Sequence, residues 1–155
     1  MAANDEGASM ESGIQGGCVC GDIRYRLTAP LLSCYTCHCT DCQTRSGAAF
    51  SLYGLLPISA AEITAGKPVD YVSERGTAKF CPRCGCNLWV VASVVPDYAI
   101  IRVGTLDDTS SIQPVAHIWT KSAQPWITFN AGSTQFTQQP EDPTELIRLW
   151  AERQS

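Results

Sequence analysis

Phe80-Cys81-Pro82-Arg83-Cys84-Gly85 decides the fold of this chain, together with the segment it answers, Gly17-Cys18-Val19-Cys20-Gly21. Each segment sets two sulfurs on one small turn, and Pro82 and Gly85 suit the tight turn of the later one. Sulfurs one or two residues apart are how zinc is gripped, in tetrahedral thiolate cages. Disulfides are the competing reading, but they usually join distant positions in secreted chains. A Cys-x-Cys knuckle and a Cys-x-x-Cys knuckle together give a closed set of four: Cys18, Cys20, Cys81 and Cys84. A span of 61 positions separates Cys20 from Cys81. A metal clip across it removes unfolded-chain entropy worth roughly a few kcal/mol. The expected role of this set is to hold the fold together.

Working outward, the chain has 9 cysteines, and the next cluster is Cys34, Cys37, Cys39 and Cys42. With Cys34 and Cys86 set aside, Cys37, Cys39 and Cys42 are three ligands around an open fourth position, the pattern of a catalytic zinc. Three thiolates on a divalent zinc leave the centre with a net negative charge. It is then a weaker Lewis acid than one held by imidazoles, less suited to making hydroxide. It is soft, and would accept a fourth sulfur. A thiol bound there is deprotonated. The expected reaction therefore makes or breaks a carbon–sulfur bond to a thiol substrate. The alternative is a second closed site of Cys34, Cys37, Cys39 and Cys42. In the open arrangement Cys34 is a buried small residue or a thiol near the site, and Cys86 a packing residue.

At 155 residues the chain fits one domain. The charged fraction of 17% with so many cysteines points to a compact fold. The net charge of −4 offers no global basic field, so nucleic acid is not the expected partner. Residues 1–17 hold no Lys or Arg and no apolar run, so no leader of the usual types is expected, and no stretch approaches a membrane span. The expected location is the cytoplasm, where thiols stay reduced. Residues 1–15 read as a disordered tail and residues 16–155 as the domain.

Strand candidates are Ile23 to Leu27, Ala49 to Leu55, Val69 to Ser73, Leu88 to Val95, Tyr98 to Val103, Val115 to Thr120 and Trp126 to Phe129. A C-terminal helix is signalled by Asp142 as cap, Pro143 at the first position, Glu145 three after the cap and the stripe Leu146, Leu149, Trp150. A shorter helical turn is expected after Cys39, with Thr40 as cap and Gly47 near its end. Around the second cluster, Arg45 balances the anionic centre or meets a substrate carboxylate, or else is plain surface. Lys121 is a candidate for an anionic ligand, and His117 faces either core or cleft. His38, between two ligands, is expected to turn away from the metal.

These motifs resemble the glutathione-dependent formaldehyde-activating enzymes, a family that includes relatives of centromere protein V. The carrying segments are Gly17 to Gly21, Cys37-His38-Cys39-Thr40-Asp41-Cys42, Phe80 to Gly85, Val103-Gly104-Thr105-Leu106-Asp107-Asp108, and His117-Ile118-Trp119 to Pro125-Trp126. The resemblance implies a mainly β, zinc-stapled, tent-like single domain. It implies two zinc ions, a structural one on Cys18, Cys20, Cys81 and Cys84 and a catalytic one on Cys37, Cys39 and Cys42. It implies a carbon–sulfur lyase-type activity that joins formaldehyde to glutathione, or cleaves the adduct, with small thiol and carbonyl partners. Homo-oligomerisation is compatible with it. A larger specialised substrate on the same fold, or a non-enzymatic zinc interaction module, are the rival expectations. Gln43-Thr44-Arg45, Cys34 and Cys86 depart from the family pattern.

Overall fold

The computed structural model describes residues 13–155. Its strands are β1 (Ile14–Gly17), β2 (Arg24–Leu27), β3 (Ser33–Cys37), β4 (Ser51–Pro57), β5 (Ala61–Ala65), β6 (Val69–Ser73), β7 (Gly76–Phe80), β8 (Asn87–Ala92), β9 (Tyr98–Arg102), β10 (Ala116–Ile118) and β11 (Thr134–Gln135). The α-helices are α1 (Thr40–Ser46), between β3 and β4, and α2 (Glu145–Gln154). A small sheet runs β1-β2-β5, and a large one runs β11-β10-β3-β4-β9-β8-β7-β6. The architecture is mainly β and a single domain with a C-terminal helix, as expected.

Register in the large sheet sorts side chains onto two faces, because successive residues of a strand point opposite ways. Tyr35 pairs with Tyr53, which pairs with Arg102, while Cys37 pairs with Ser51 and Ile118. These residues share one face. Cys34 pairs with Gly54, Gly54 with Ile101, Ile101 with Trp89, and Thr36 with His117. These share the other.

The second face meets the small sheet over a core of Ile23, Tyr25, Leu27, Leu56, Leu88, Trp89, Ile101 and Val103. Burial of each such side chain contributes roughly 1.5–3 kcal/mol. Tyr25 and Trp89 meet edge-to-face at 5.4 Å, and Tyr25 Oη lies 2.6 Å from Thr105 Oγ1. The close approach demands Gly16: a Cβ there would stand 2.5 Å from the Tyr25 ring. On the first face, Tyr35, Tyr53, Leu55, Val115, Ile118 and Leu146 form a second core, where α2 packs. Ser33 Oγ donates to Leu146 O at 2.8 Å there.

Several expectations shift. β1 opens at Ile14, opposite Leu27, so ordered structure begins inside the expected 1–15 tail; the part at 1–12 lies outside the described residues. Trp126 to Phe129 is turn and coil, held by Pro125 and the Ile127 N–H donating to Gln124 O at 3.0 Å. α2 starts at Glu145, and Asp142 caps the turn before it by accepting the Thr144 N–H at 2.9 Å. Among the described residues, no helix is long and apolar enough to cross a membrane.

Candidate metal centres

The turn after β1 delivers Cys18 and Cys20, and the turn after β7 delivers Cys81 and Cys84. Gly21 and Gly85 adopt left-handed φ of 83° and 73°, which lets each knuckle reverse within a few residues. Arg83 Nη1 donates to Asp22 Oδ1 at 2.9 Å and ties one knuckle to the other. All four Sγ atoms lie within 4.8 Å of one another. Cys18 to Cys20 is 3.5 Å and Cys20 to Cys81 is 3.7 Å. Zinc–sulfur bonds of about 2.3 Å in a tetrahedron set sulfurs about 3.8 Å apart, whereas a disulfide needs about 2 Å. The cluster therefore fits a tetrahedral cation. The Ile23 N–H donates to Cys18 Sγ at 3.2 Å, which suits a thiolate. Cys86 stands outside the set and packs at the edge of the main core.

The second cluster sits where β3 turns into α1. Cys37 ends the strand, Cys39 caps the helix and Cys42 lies in its first turn. The cap is Cys39, not Thr40: its Sγ accepts the Cys42 N–H at 3.4 Å. Gly47 closes the helix at φ 63°. The three Sγ atoms lie within 4.8 Å of one another. Cys34 faces the opposite side of β3 and is fully buried in the other core, so the closed set with Cys34 does not assemble.

Without a cation the three thiols cannot all ionise. Cys42 is brought down to about 6 by the hydrogen bond from the Cys37 thiol, helped against burial by the Tyr53 hydroxyl 3.3 Å away and by the Arg102 charge. Cys37 is driven up by the same hydrogen bond and then by burial, and Cys39 is raised by burial. One thiolate forms readily; two more require a positive ion between them.

His38 turns away from the sulfurs, as expected. Its carbonyl accepts from Gln43 Nε2 at 2.8 Å and from Ser122 Oγ at 3.0 Å. Its ring is fully buried between Phe50 and Phe129. Thr36 Oγ1 lies 3.0 Å from His38 Nε2 and 2.5 Å from His117 Nδ1. His117 Nε2 lies 2.6 Å from Asn130 Oδ1, and Asn130 Nδ2 donates to Pro114 O at 3.2 Å. One proton pattern satisfies this chain. His38 donates to Thr36, Thr36 to His117 Nδ1, and His117 to Asn130. Burial lowers both imidazoles, His38 to about 4, and protonation of His117 would push His38 down further.

The three thiols open into a cleft of about 260 Å³ on the first face of the large sheet. Tyr53, Arg102, Ile100, Ile118 and Trp119 wall it, and Arg45 and Arg75 stand at its side. Arg102 lies over the Tyr53 ring at 4.8 Å and donates through Nη1 to Ser51 Oγ at 2.6 Å; it has no carboxylate partner among the described residues. Arg75, at the tip of the β6–β7 hairpin, pairs with Asp41. A neighbouring cleft of about 400 Å³ shares Cys39, Asp41, Arg75 and Trp119 with the first and includes Lys121, whose Nζ lies 5.0 Å from the Trp119 ring centre. Trp119 adopts φ 59°, the left-handed region that a bulky side chain enters at a cost of about 1–3 kcal/mol. Of the expected substrate residues, Arg45 borders the thiol cleft and Lys121 the adjoining one. His117, which the sequence let face either core or cleft and offered to the substrate, takes the core: pairing with Thr36 turns it to the opposite face, away from the cleft. Cysteine spacing gives no sign of Tyr53 or Arg102, which arrive by strand register, or of Arg75, which the β6–β7 turn brings.

The profile of the family described as glutathione-dependent formaldehyde-activating enzyme matches residues 13–122, a span that holds both clusters. A Halomonas elongata protein provisionally named for the same activity is 26% identical over 124 residues, 74% of this chain and 79% of that protein. A Sordaria macrospora protein, named in the same provisional way, is 33% identical over 72 residues, 44% of this chain and 30% of that protein. A solved structure of a Rhodobacter sphaeroides protein shares the fold, with a TM-score of 0.52 at 16% identity over 79% of this chain and 99% of that one.

Proposed function

Since the chain belongs to the glutathione-dependent formaldehyde-activating enzyme family, we propose that it is a zinc-dependent carbon–sulfur lyase-type enzyme acting on a small anionic thiol and an aldehyde. Glutathione and formaldehyde are the pair this reading favours. The observation that carries it is the meeting of three thiols with arginines in one cleft. Cys37, Cys39 and Cys42 would hold the ion, which would supply a soft cation beside which a substrate thiol gives up its proton. Cys18, Cys20, Cys81 and Cys84 would hold a second ion with no vacancy, away from any chemistry.

The chain's own residues then have defined tasks. Arg102 and Arg45 offer cationic groups for the carboxylates of a tripeptide thiol. Burial of Cys37 and the apolar wall of Ile100 and Ile118 keep water from the thiolate. The substrate S–H loses its proton, a sulfur lone pair forms the C–S bond, and the carbonyl oxygen gains a proton. The reverse sequence cleaves the adduct. The thiol cleft of about 260 Å³ runs into the neighbouring one of about 400 Å³ through Cys39, Asp41, Arg75 and Trp119, and together they fall in the range of about 300–1,000 Å³ that holds a ligand of tripeptide size. Thiols of this kind imply a reducing compartment such as the cytoplasm.

The test is Cys39→Ser, assayed for glutathione-dependent consumption of formaldehyde with zinc measured per chain. The expected result is loss of one ion, retention of the other and loss of turnover. Undiminished turnover after loss of that ion contradicts the proposal.

A further inference from the structure

We propose that Tyr53 is a catalytic residue: its hydroxyl donates the hydrogen bond that holds the aldehyde oxygen as that oxygen gains negative charge. The inference rests on the reaction proposed above and adds a group that cysteine chemistry alone does not supply.

Thiolate addition to a carbonyl creates charge on two atoms in turn. Sulfur brings it, and oxygen receives it when the C=O π pair moves onto oxygen. Three sulfurs and a cation address the first atom only. The second needs a donor fixed before the reaction, in a site shielded from water. Tyr53 meets that geometry. Its hydroxyl stands 3.3 Å from Cys42 Sγ, and among the described residues no other side-chain hydroxyl lies within hydrogen-bonding distance of the three sulfurs. The ring is only 7% exposed. It is held between Tyr35, with centroids 5.7 Å apart, and the Arg102 guanidinium 4.8 Å from its centre. Arg102 is itself fixed by its 2.6 Å bond to Ser51 Oγ. The carbonyl carbon bonds to a sulfur lodged beside the triad, so its oxygen falls within one hydrogen bond of a group already in contact with Cys42.

The balance is simple. The thiol proton leaves to solvent, the C–S bond forms, the π pair becomes an oxygen lone pair, and that oxygen takes a proton from water. Thiol plus aldehyde equals adduct. The phenol keeps its own proton throughout; its single O–H, directed at Cys42 Sγ before the substrate enters, turns to the aldehyde oxygen as charge builds there.

Tyr53→Phe keeps the ring and both of its clamps and deletes the hydroxyl. Three measurements on the zinc-loaded protein test the proposal: zinc per chain, calorimetric affinity for glutathione and for its hydroxymethyl adduct, and kcat against KM for glutathione. Zinc content and glutathione affinity should stay as in the unaltered chain. Affinity for the adduct should weaken about tenfold, the worth of one hydrogen bond. The value of kcat should fall about 10²-fold with KM for glutathione unchanged. Unchanged kcat overturns the proposal. Joint loss of zinc and glutathione affinity also overturns it, because Tyr53 would then act by holding Cys42. If the unaltered chain itself consumes no formaldehyde with glutathione, the reaction reading fails and the proposal falls with it; that outcome is visible before any variant is made.

Discussion

Cys42 differs from its two neighbours by its surroundings, not its chemistry. Hydrogen bonds from Cys37 and Tyr53 and the charge of Arg102 bring it to about 6, while Cys37 and Cys39 are raised. After zinc is stripped, Cys42 should therefore be the first of the three alkylated by iodoacetamide at pH 7. Its rate should fall as pH drops below about 6, where the thiolate is protonated. Peptide mapping by mass spectrometry reads the order, and labelling of Cys37 first would contradict it. Gly76 makes a different single-residue point. A Cβ there would stand 2.1 Å from Val91 O at a φ of 137°, so Gly76→Ala should destabilise by about 1–3 kcal/mol, measured by urea unfolding. At this scale the sequence was readable where chemistry clusters along the chain. The seven grouped thiols and the turning away of His38 follow from spacing. Tyr53 and Arg102 do not, because they lie 49 positions apart and meet only through the β4–β9 register.

Elements were legible where one face is wet. β2, with buried Tyr25 and Leu27 alternating with half-exposed arginines, announces itself. β3 does not: all five of its residues are buried, so Ser33-Cys34-Tyr35-Thr36-Cys37 shows no alternation and reads as ligand sequence. β7 hides because Gly76, Thr77 and Ala78 are small or polar, and β1 because two of its four residues are glycine. The C-terminal helix was plain from its stripe, although the Asp142-Pro143 signal marks the turn before it and not its first residues. The link between β3 and β10 carries its own pH dependence. His38 is held neutral in the fold, at about 4 against an ordinary 6.5. The unfolded chain binds more protons across that window, so stability is full above about pH 6.5 and falls as pH drops toward about 4. Replacing both imidazoles, His38→Gln with His117→Gln, should flatten that slope in urea midpoints compared at equal zinc content. A slope unchanged by the double variant would place the pH dependence elsewhere.

At the scale of the molecule, labour is divided between the two clusters in the proposed reading. Cys18, Cys20, Cys81 and Cys84 join the small sheet's first turn to the far strands of the large sheet, across a 61-residue interval. Cys37, Cys39 and Cys42 close a loop of only a few residues. Cross-linking theory ties stabilisation to the loop closed. Cys81→Ser should thus lower unfolding free energy by about 2–5 kcal/mol, whereas Cys39→Ser should leave it nearly unchanged, as read by urea denaturation with zinc present. Equal losses would mean that both clusters serve as scaffold. The grouping into a four-thiol set and a three-thiol set was legible in the sequence because ligand spacing is local. The cleft was not, since its walls come from β3, β4, β6, β7, β8, β9 and β10 and from the turn between β6 and β7.

In the proposed reading the three-thiol cluster binds an ion that keeps a place for sulfur from outside the chain. X-ray absorption at the zinc edge, recorded on the purified protein before and after glutathione, tests it most directly. Two zinc ions per chain are expected, with a rise in the mean number of sulfur neighbours per zinc when glutathione is added. A spectrum that already shows full sulfur coordination without the thiol, and does not change with it, would mean that the three-thiol cluster keeps no place for a substrate sulfur.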